Sequence, residues 1–345
     1  MLTVLDRIPP GLLNCEADAL ADVLRGPTLV HLPGRRQPPL FVSVLLHGDE
    51  DAGWLALRQV LRKYAEAELP RALSFLIGNV QAARSRERFV RGQPDYNRVW
   101  FATDVAPANP EQAMAQTVTR AMRERGVFAS IDVHNNTGLN PHYACVRRLD
   151  HRFLHLATLF SRTVVYFTKP DGVQAEAFAA LCPAVTVECG QPGHAYGVEH
   201  AAEFLNACLH LAEIPAHPVA AHDIDLYHSV AIVKIPPQVS FGFDNDDVDI
   251  RLAPDLDTLN FRELPADTLL GRVRCGSDAR LAVVDERGHD AAAHYLRVID
   301  GEIRTAVPVM PAMFTLSPRA IRQDCLGYFM QRPASLATAA KVLAP

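Results

Sequence analysis

Short apolar runs alternate with amphipathic stretches over the first two-thirds of the chain. Residues 28–32, 41–46, 73–77, 128–133, 163–167 and 184–187 are rich in Val, Ile, Leu and Phe. Such near-continuous runs are expected of strands buried on both faces of a largely parallel sheet. Between them, 52–66, 111–124, 151–159, 173–180 and 198–213 carry apolar positions at helical spacing, and 17–24 predicts a small lead-in helix. This alternation is the signature of βαβ units. Beyond residue 215 the texture changes: the runs 229–235, 269–274, 279–284 and 295–299 are short and broken by Pro, Gly and Asp, and a short acidic turn spans 244–249. The pattern therefore predicts an α/β domain over 1–214 and a smaller β-rich domain over 215–345, with the boundary inside 214–222.

Composition narrows the class. At 345 residues the chain is long enough for two domains with sizeable cores. Hydrophobic residues make up 49% and charged residues 21%, and the formal charge is -5, which argues against a general attraction to nucleic acid or membranes. No run reaches the length of a membrane span, and the first ten residues lack the cationic start and apolar core of a leader. A cytoplasmic location is the expectation. Seven scattered cysteines without any C-x-x-C spacing read as reduced thiols.

The chemistry is concentrated where strands end. Run 41–46 stops at His47-Gly48-Asp49-Glu50, so a His and a Glu three positions apart leave the carboxyl edge of the sheet, where open α/β folds bind ligands. A hydrolytic zinc site needs a third protein ligand, and His134, directly after run 128–133, is the candidate. Asp132 lies on the same side of that strand and is placed to hydrogen-bond a ligand histidine. Glu188 ends run 184–187 as a charged residue on a buried strand, a candidate to take a proton from water and return it to a leaving group. The loop 79–98 carries Arg84, Arg86, Arg88, Arg91 and Arg98 against Glu87 and Asp95. Guanidinium forks suit substrate carboxylates, with Asn97 beside Arg98 adding an amide, so an anionic small molecule is expected. Each feature alone has a structural reading, as a polar turn, a helix-start carboxylate or a solvated loop. Their convergence on one sheet edge is what argues for a site. Asp49 and Asp51 bracket Glu50, but His47, Glu50 and His134 already complete a mononuclear set.

In order, His47-Gly48-Asp49-Glu50, Arg88-Phe89-Val90 with Asn97-Arg98, Asp132-Val133-His134-Asn135-Asn136-Thr137 and Val187-Glu188-Cys189-Gly190 resemble the motifs of the succinylglutamate desuccinylase/aspartoacylase family, which belongs with the zinc carboxypeptidases. The resemblance covers roughly residues 40–215. It implies a three-layer α/β/α zinc carboxypeptidase-like domain with a mixed, largely parallel sheet, followed by a β-rich domain. It also implies one Zn2+ per chain on His47, Glu50 and His134, general base and acid chemistry at Glu188, carbonyl polarisation by Arg88, and carboxylate binding by Asn97 and Arg98. Three departures stand out: Asp49 replaces the usual Asn, the interval from Arg88 to Asn97 is longer than in aspartoacylase, and Asn135-Asn136-Thr137 replaces Asn-Thr-Thr. Arg86 and Arg84 are therefore alternatives to Arg88, and Tyr143, Tyr295, Arg147 and Arg148 are candidates for the family's further substrate-binding tyrosine and arginine. The function implied is zinc-dependent hydrolysis of the amide bond of a small N-acyl amino acid or a similar carboxylate-bearing substrate. A metallocarboxypeptidase acting on short peptides is the alternative within the enzymes. A non-catalytic protein that binds an amino-acid-like ligand is the alternative outside them. Nucleic acid and membrane partners are not expected, and a homo-oligomer is compatible with the sequence.

Overall fold

The computed structural model describes residues 1–244 and 247–333. The predicted acidic turn includes residues 245 and 246, which lie outside the described residues. In chain order the first part contains β1 (Thr3–Leu5), β2 (Thr28–Leu32), β3 (Leu40–Val44), α1 (Ala52–Lys63), β4 (Leu73–Ile77), α2 (Val80–Ser85), α3 (Pro110–Arg125) and β5 (Ala129–His134). It continues through β6 (Tyr143–Val146), α4 (His151–Phe160), β7 (Thr163–Tyr166), α5 (Gln174–Ala179), β8 (Ala184–Glu188) and α6 (Ala195–His210). The second part adds β9 (Asp225–Lys234), β10 (Phe241–Gly242), β11 (Ile250–Leu252), β12 (Leu269–Val273), β13 (Ala282–Asp285), α7 (Ala292–Tyr295), β14 (Leu296–Ile299), β15 (Glu302–Thr305), β16 (Met310–Ala312), α8 (Pro318–Gln323) and β17 (Gly327–Gln331).

A twelve-stranded mixed sheet runs β1-β2-β4-β3-β5-β8-β6-β7-β9-β17-β16, with β13 also paired to β9. Its centre, β4, β3, β5 and β8, is parallel, and these strands are buried along their whole length. Helices cover both faces. Phe41 of β3 stacks on Phe178 of α5 at 4.4 Å between ring centroids. Val44 of the same strand lies under Gly53 of α1, where an added Cβ would approach it to 3.1 Å. On α1, Trp54, Leu57, Val60 and Leu61 form the buried face, and α6 packs beside it. A second sheet, β10-β11-β12-β15-β14, is confined to the C-terminal part and is largely antiparallel. The α/β fold with a β-rich C-terminal region thus follows the hydrophobic pattern.

Local differences have physical causes. The lead-in segment is a 3-10 turn, Ala17–Asp22, rather than an α-helix. Strand β3 ends at Val44, because Leu45 adopts a φ of +55°, which breaks the extended backbone. Strand β6 and the short α2, the latter inside the arginine loop, had no pattern long enough to announce them. Past residue 215 the main sheet continues: β9 pairs in parallel with β7, and β17 lies antiparallel on β9. The free edge of β7 is satisfied by C-terminal strands, so that region contributes directly to the cleft. Among the described residues no helix is long and apolar enough to cross a membrane.

Candidate active site

Three adjacent strands bring the chemistry together. β3, β5 and β8 are parallel neighbours, so the turn after β3, the end of β5 and the end of β8 meet at one edge, with His134 and Glu188 as register partners. Strand β6 runs antiparallel to β8 and begins at the same edge, which sets Tyr143 opposite Glu188. The turn holding His47 is tight. A Cβ on Gly48 would sit 2.2 Å from the Ala82 carbonyl carbon of α2, so only glycine lets the turn approach that helix. The Gly48 amide donates to the Arg88 carbonyl at 3.1 Å, tying the arginine loop to the His-Glu turn.

His47, Glu50 and His134 are buried, and one ligand-type atom from each lies within 4.8 Å of the others. His47 Nδ1 is 2.8 Å from Glu50 Oε1, and His134 Nδ1 is 2.7 Å from Glu50 Oε2. The far nitrogens also meet carboxylates. His134 Nε2 is 2.8 Å from Asp132 Oδ2, the orienting contact expected for Asp132, and His47 Nε2 is 3.0 Å from Asp95 Oδ1. Ser43 donates to the other Asp132 oxygen at 2.6 Å.

Burial and Arg88 push the His47 pKa down, but Glu50 and Asp95 outweigh them and the net shift is upward. For His134 burial acts downward, while Asp132 and Glu50 carry it well above the ordinary value. Burial raises Glu50, and the two imidazoles more than reverse this, leaving it far below the usual carboxylate range. Both imidazoles therefore face the one Glu50 carboxylate through Nδ1. The His2Glu donor set with carboxylate-anchored imidazoles fits zinc.

Glu188 is buried, and its Oε2 accepts from Asn136 Nδ2 at 3.2 Å. Burial and, against the pull of His134, the neighbouring Glu50 push its carboxyl up to about 7. A carboxylate near that value is poised to exchange protons at neutral pH. Asn135 organises the same edge. Its backbone N–H donates to Glu50 Oε2 at 3.2 Å, its side-chain oxygen accepts from Ala52 N at the start of α1, and its amide donates to the Gly190 carbonyl.

Of the loop arginines, Arg88 is the one at the His-Glu turn. Its Nε and Nη2 hold Asp95 Oδ2 at 3.0 and 2.9 Å, Nη2 reaches Asp324 Oδ2 at 3.3 Å, and Nη1 lies 3.7 Å from Glu50. Arg84 and Arg86 instead pair with Asp22 and Asp18 on the surface. Arg98 lines the cleft, but its guanidinium is bound to Asp324 Oδ1 at 3.1 Å. Asn97 Nδ2 donates to Asp132 at 3.4 Å and lies 3.2 Å from His134 Nε2, while its oxygen accepts from Gln174 N at 2.8 Å. The groups assigned to a substrate carboxylate are thus engaged by the chain's own side chains.

Tyr143 lines the cleft, whereas Tyr295 packs on Phe329 elsewhere. Arg147 and Arg148 donate to backbone carbonyls of 168, 170 and 179. Asp49 does not join the triad, and its Oδ1 is buried without a hydrogen-bond partner. The sequence assigned no role to Asp95, Asn135, Asn136 or Asp324. Asp95 carried one faint signal, as one of only two acids in an arginine-rich loop.

An open α/β sheet with two histidines, a glutamate between them and a buried acid on adjacent strand ends defines the class: an α/β protein with a candidate hydrolytic metal centre. The model of the succinylglutamate desuccinylase/aspartoacylase catalytic domain matches residues 36–213, and the chain belongs to this family. No curated protein matches the sequence. Among solved structures, the fold is similar to a succinylglutamate desuccinylase/aspartoacylase from Rhodobacter sphaeroides, with a TM-score of 0.59 at 14% identity over 88% of this chain and 89% of that one. Succinylglutamate desuccinylase from Chromobacterium violaceum gives a TM-score of 0.56 at 16% identity over 88% and 86%. Murine aminoacylase 3 gives 0.56 at 14% over 87% and 97%. At these identities the likeness concerns the fold.

Proposed function

We propose that the protein is a zinc-dependent hydrolase that cleaves the amide bond of a small N-acylated amino acid or a derivative of one, with one zinc ion per chain held by His47, Glu50 and His134. The observation that carries this reading is the meeting of His47, Glu50 and His134 within 4.8 Å, with Glu188 register-paired to His134 on the next strand. Zinc bound there supplies Lewis acidity toward a carbonyl and makes water more acidic.

The chain's own residues do the rest. Asp95 and Asp132 hold the two imidazoles with their Nδ1 atoms turned toward Glu50. Glu188 accepts a proton from the attacking water, and the same carboxyl returns it to the departing amine nitrogen as the C–N bond breaks. Asn136 fixes the Glu188 carboxyl through its Oε2. Arg88, partly buried and held by Asp95, offers its Nη1 edge toward the Glu50 side, where it donates to the carbonyl oxygen as negative charge develops.

Two measurements test the proposal. Elemental analysis of the purified chain is expected to find zinc at one equivalent, or activity that appears when zinc is added; neither outcome would leave a ligand-binding protein. A panel of N-acyl amino acids set against short peptides is expected to show cleavage of the former. Hydrolysis confined to peptides would assign a carboxypeptidase instead.

A further inference from the structure

The cleft beside the triad opens to solvent and is lined by residues from both the α/β part and the C-terminal part of the chain. Among the described residues Arg88, Arg98 and Lys169 line it, and each already has an acid. Arg88 is bound by Asp95 and Asp324, Arg98 by Asp324, and Lys169 by Asp171 at 2.5 Å. Asp324 comes from the junction of α8 and β17, more than two hundred residues beyond the arginines it bridges. One carboxylate oxygen faces each guanidinium, which is how a bound substrate carboxylate would sit. Burial alone would raise the Asp324 carboxyl, but Arg98 and Arg88 hold it below its usual range, so it stays ionised.

Much of the remaining lining is apolar. Tyr143, Val165, Ala312 and Met330 belong to one buried hydrophobic cluster that joins β6 and β7 to β16 and β17, with Met313 packed against it. Phe167 and Val173 extend this surface. A carboxylate placed here would give up its hydration and meet guanidinium groups whose charge is already compensated. An alkyl group would displace water from apolar walls.

Resting on the hydrolase reading above, we infer that Asp324 is a specificity-determining residue: it fills the two-arginine clamp, so the favoured substrate is an N-acyl amine with an apolar, uncharged flank and without a free carboxylate. The clamp is closed by the protein itself, and the apolar wall takes over recognition.

The test uses the zinc-loaded full chain and N-acetyl derivatives of leucine, aspartate and lysine, each as the free acid and as the carboxamide, with acetate release as the readout. N-acetylleucine carboxamide is expected to be the best substrate, with kcat/KM about tenfold or more above the free acid and above both aspartate compounds. Asp324→Asn is expected to shift the acid-to-carboxamide ratio toward the acid by about tenfold or more, because two guanidinium groups lose their shared anion. Preference of the wild-type enzyme for aspartate, for free acids or for lysine would overturn the inference, and that panel needs no variant. Calorimetric titration with succinate of protein stripped of metal gives a readout independent of hydrolysis. Wild type is expected not to bind millimolar succinate, and Asp324→Asn is expected to bind it. Should none of the amides be cleaved, the hydrolase reading fails, while succinate titration still decides the role of Asp324. Succinate binding to wild type, or none to a folded Asp324→Asn, would sink it.

Discussion

One wall of the cleft comes from the ends of three adjacent parallel strands, β3, β5 and β8, whereas another comes from β16, the α8–β17 junction and β17, far along the chain. The first wall gathers His47, Glu50, His134 and Glu188, all of them acid/base or metal-type groups. The second brings Ala312, Met313, Met330 and a single acid, Asp324. The contrast separates two jobs. Parallel strands place chemistry at one edge whatever the loops contain, while the later antiparallel additions determine what fits against it.

Substitutions on the first wall carry the largest expected effects. His47→Ala removes one of the three proposed ligands and is expected to abolish both zinc retention and hydrolysis. Full zinc occupancy in that variant, by elemental analysis, would show that another residue ligates. Glu188→Gln keeps the shape and hydrogen-bonding capacity of the side chain but not its proton exchange. It is expected to retain zinc and to lower kcat by about 10²–10⁴-fold. A rate near wild type would take Glu188 out of the reaction. Smaller again is Asp95→Asn, which leaves His47 without its anionic anchor; zinc affinity, measured by competition with a chelator, is expected to fall about 10–100-fold. An unchanged affinity would reduce Asp95 to a partner of Arg88 alone.

How far each wall could be read from sequence follows from the same contrast. His47, Glu50, His134, Asp132 and Glu188 each sit at or near the end of an apolar run, so chain position translates into a shared sheet edge. Arg88, Asn97 and Arg98 lie on a loop, where residue type was visible but engagement was not. Nothing local shows that Asp324 will reach Arg98 across 226 positions. That contact exists because β17 pairs with β9 and β9 with β7, a chain of strand registers that no hydrophobic period encodes. Strand β6 escaped notice for a related reason: its four residues are too few for alternation to stand out.

The smallest expected effect concerns stability, and it asks whether Glu188 is strained by its burial. In the folded chain its carboxyl is pushed up to about 7 from an ordinary value of 4.5, first by burial and then by Glu50. Between those two values the folded state keeps a proton that the unfolded state has released, so this group's contribution to stability declines as pH rises through the window. Above about pH 7 the ionised carboxylate remains buried, at a cost of up to about 3 kcal/mol relative to acid conditions. Asp95 and Asp324, whose carboxyls are held low, act with the opposite sign and are the same in wild type and in Glu188→Gln. The difference between the two proteins therefore reports Glu188 together with its coupling to His134, Glu50 and His47. Denaturant unfolding of chelator-treated samples is expected to show Glu188→Gln gaining on wild type as pH rises from 4.5 to 7, with no further gain beyond. A difference independent of pH would mean that Glu188 titrates like an exposed acid and that its poise at neutral pH has to come from the substrate or the metal.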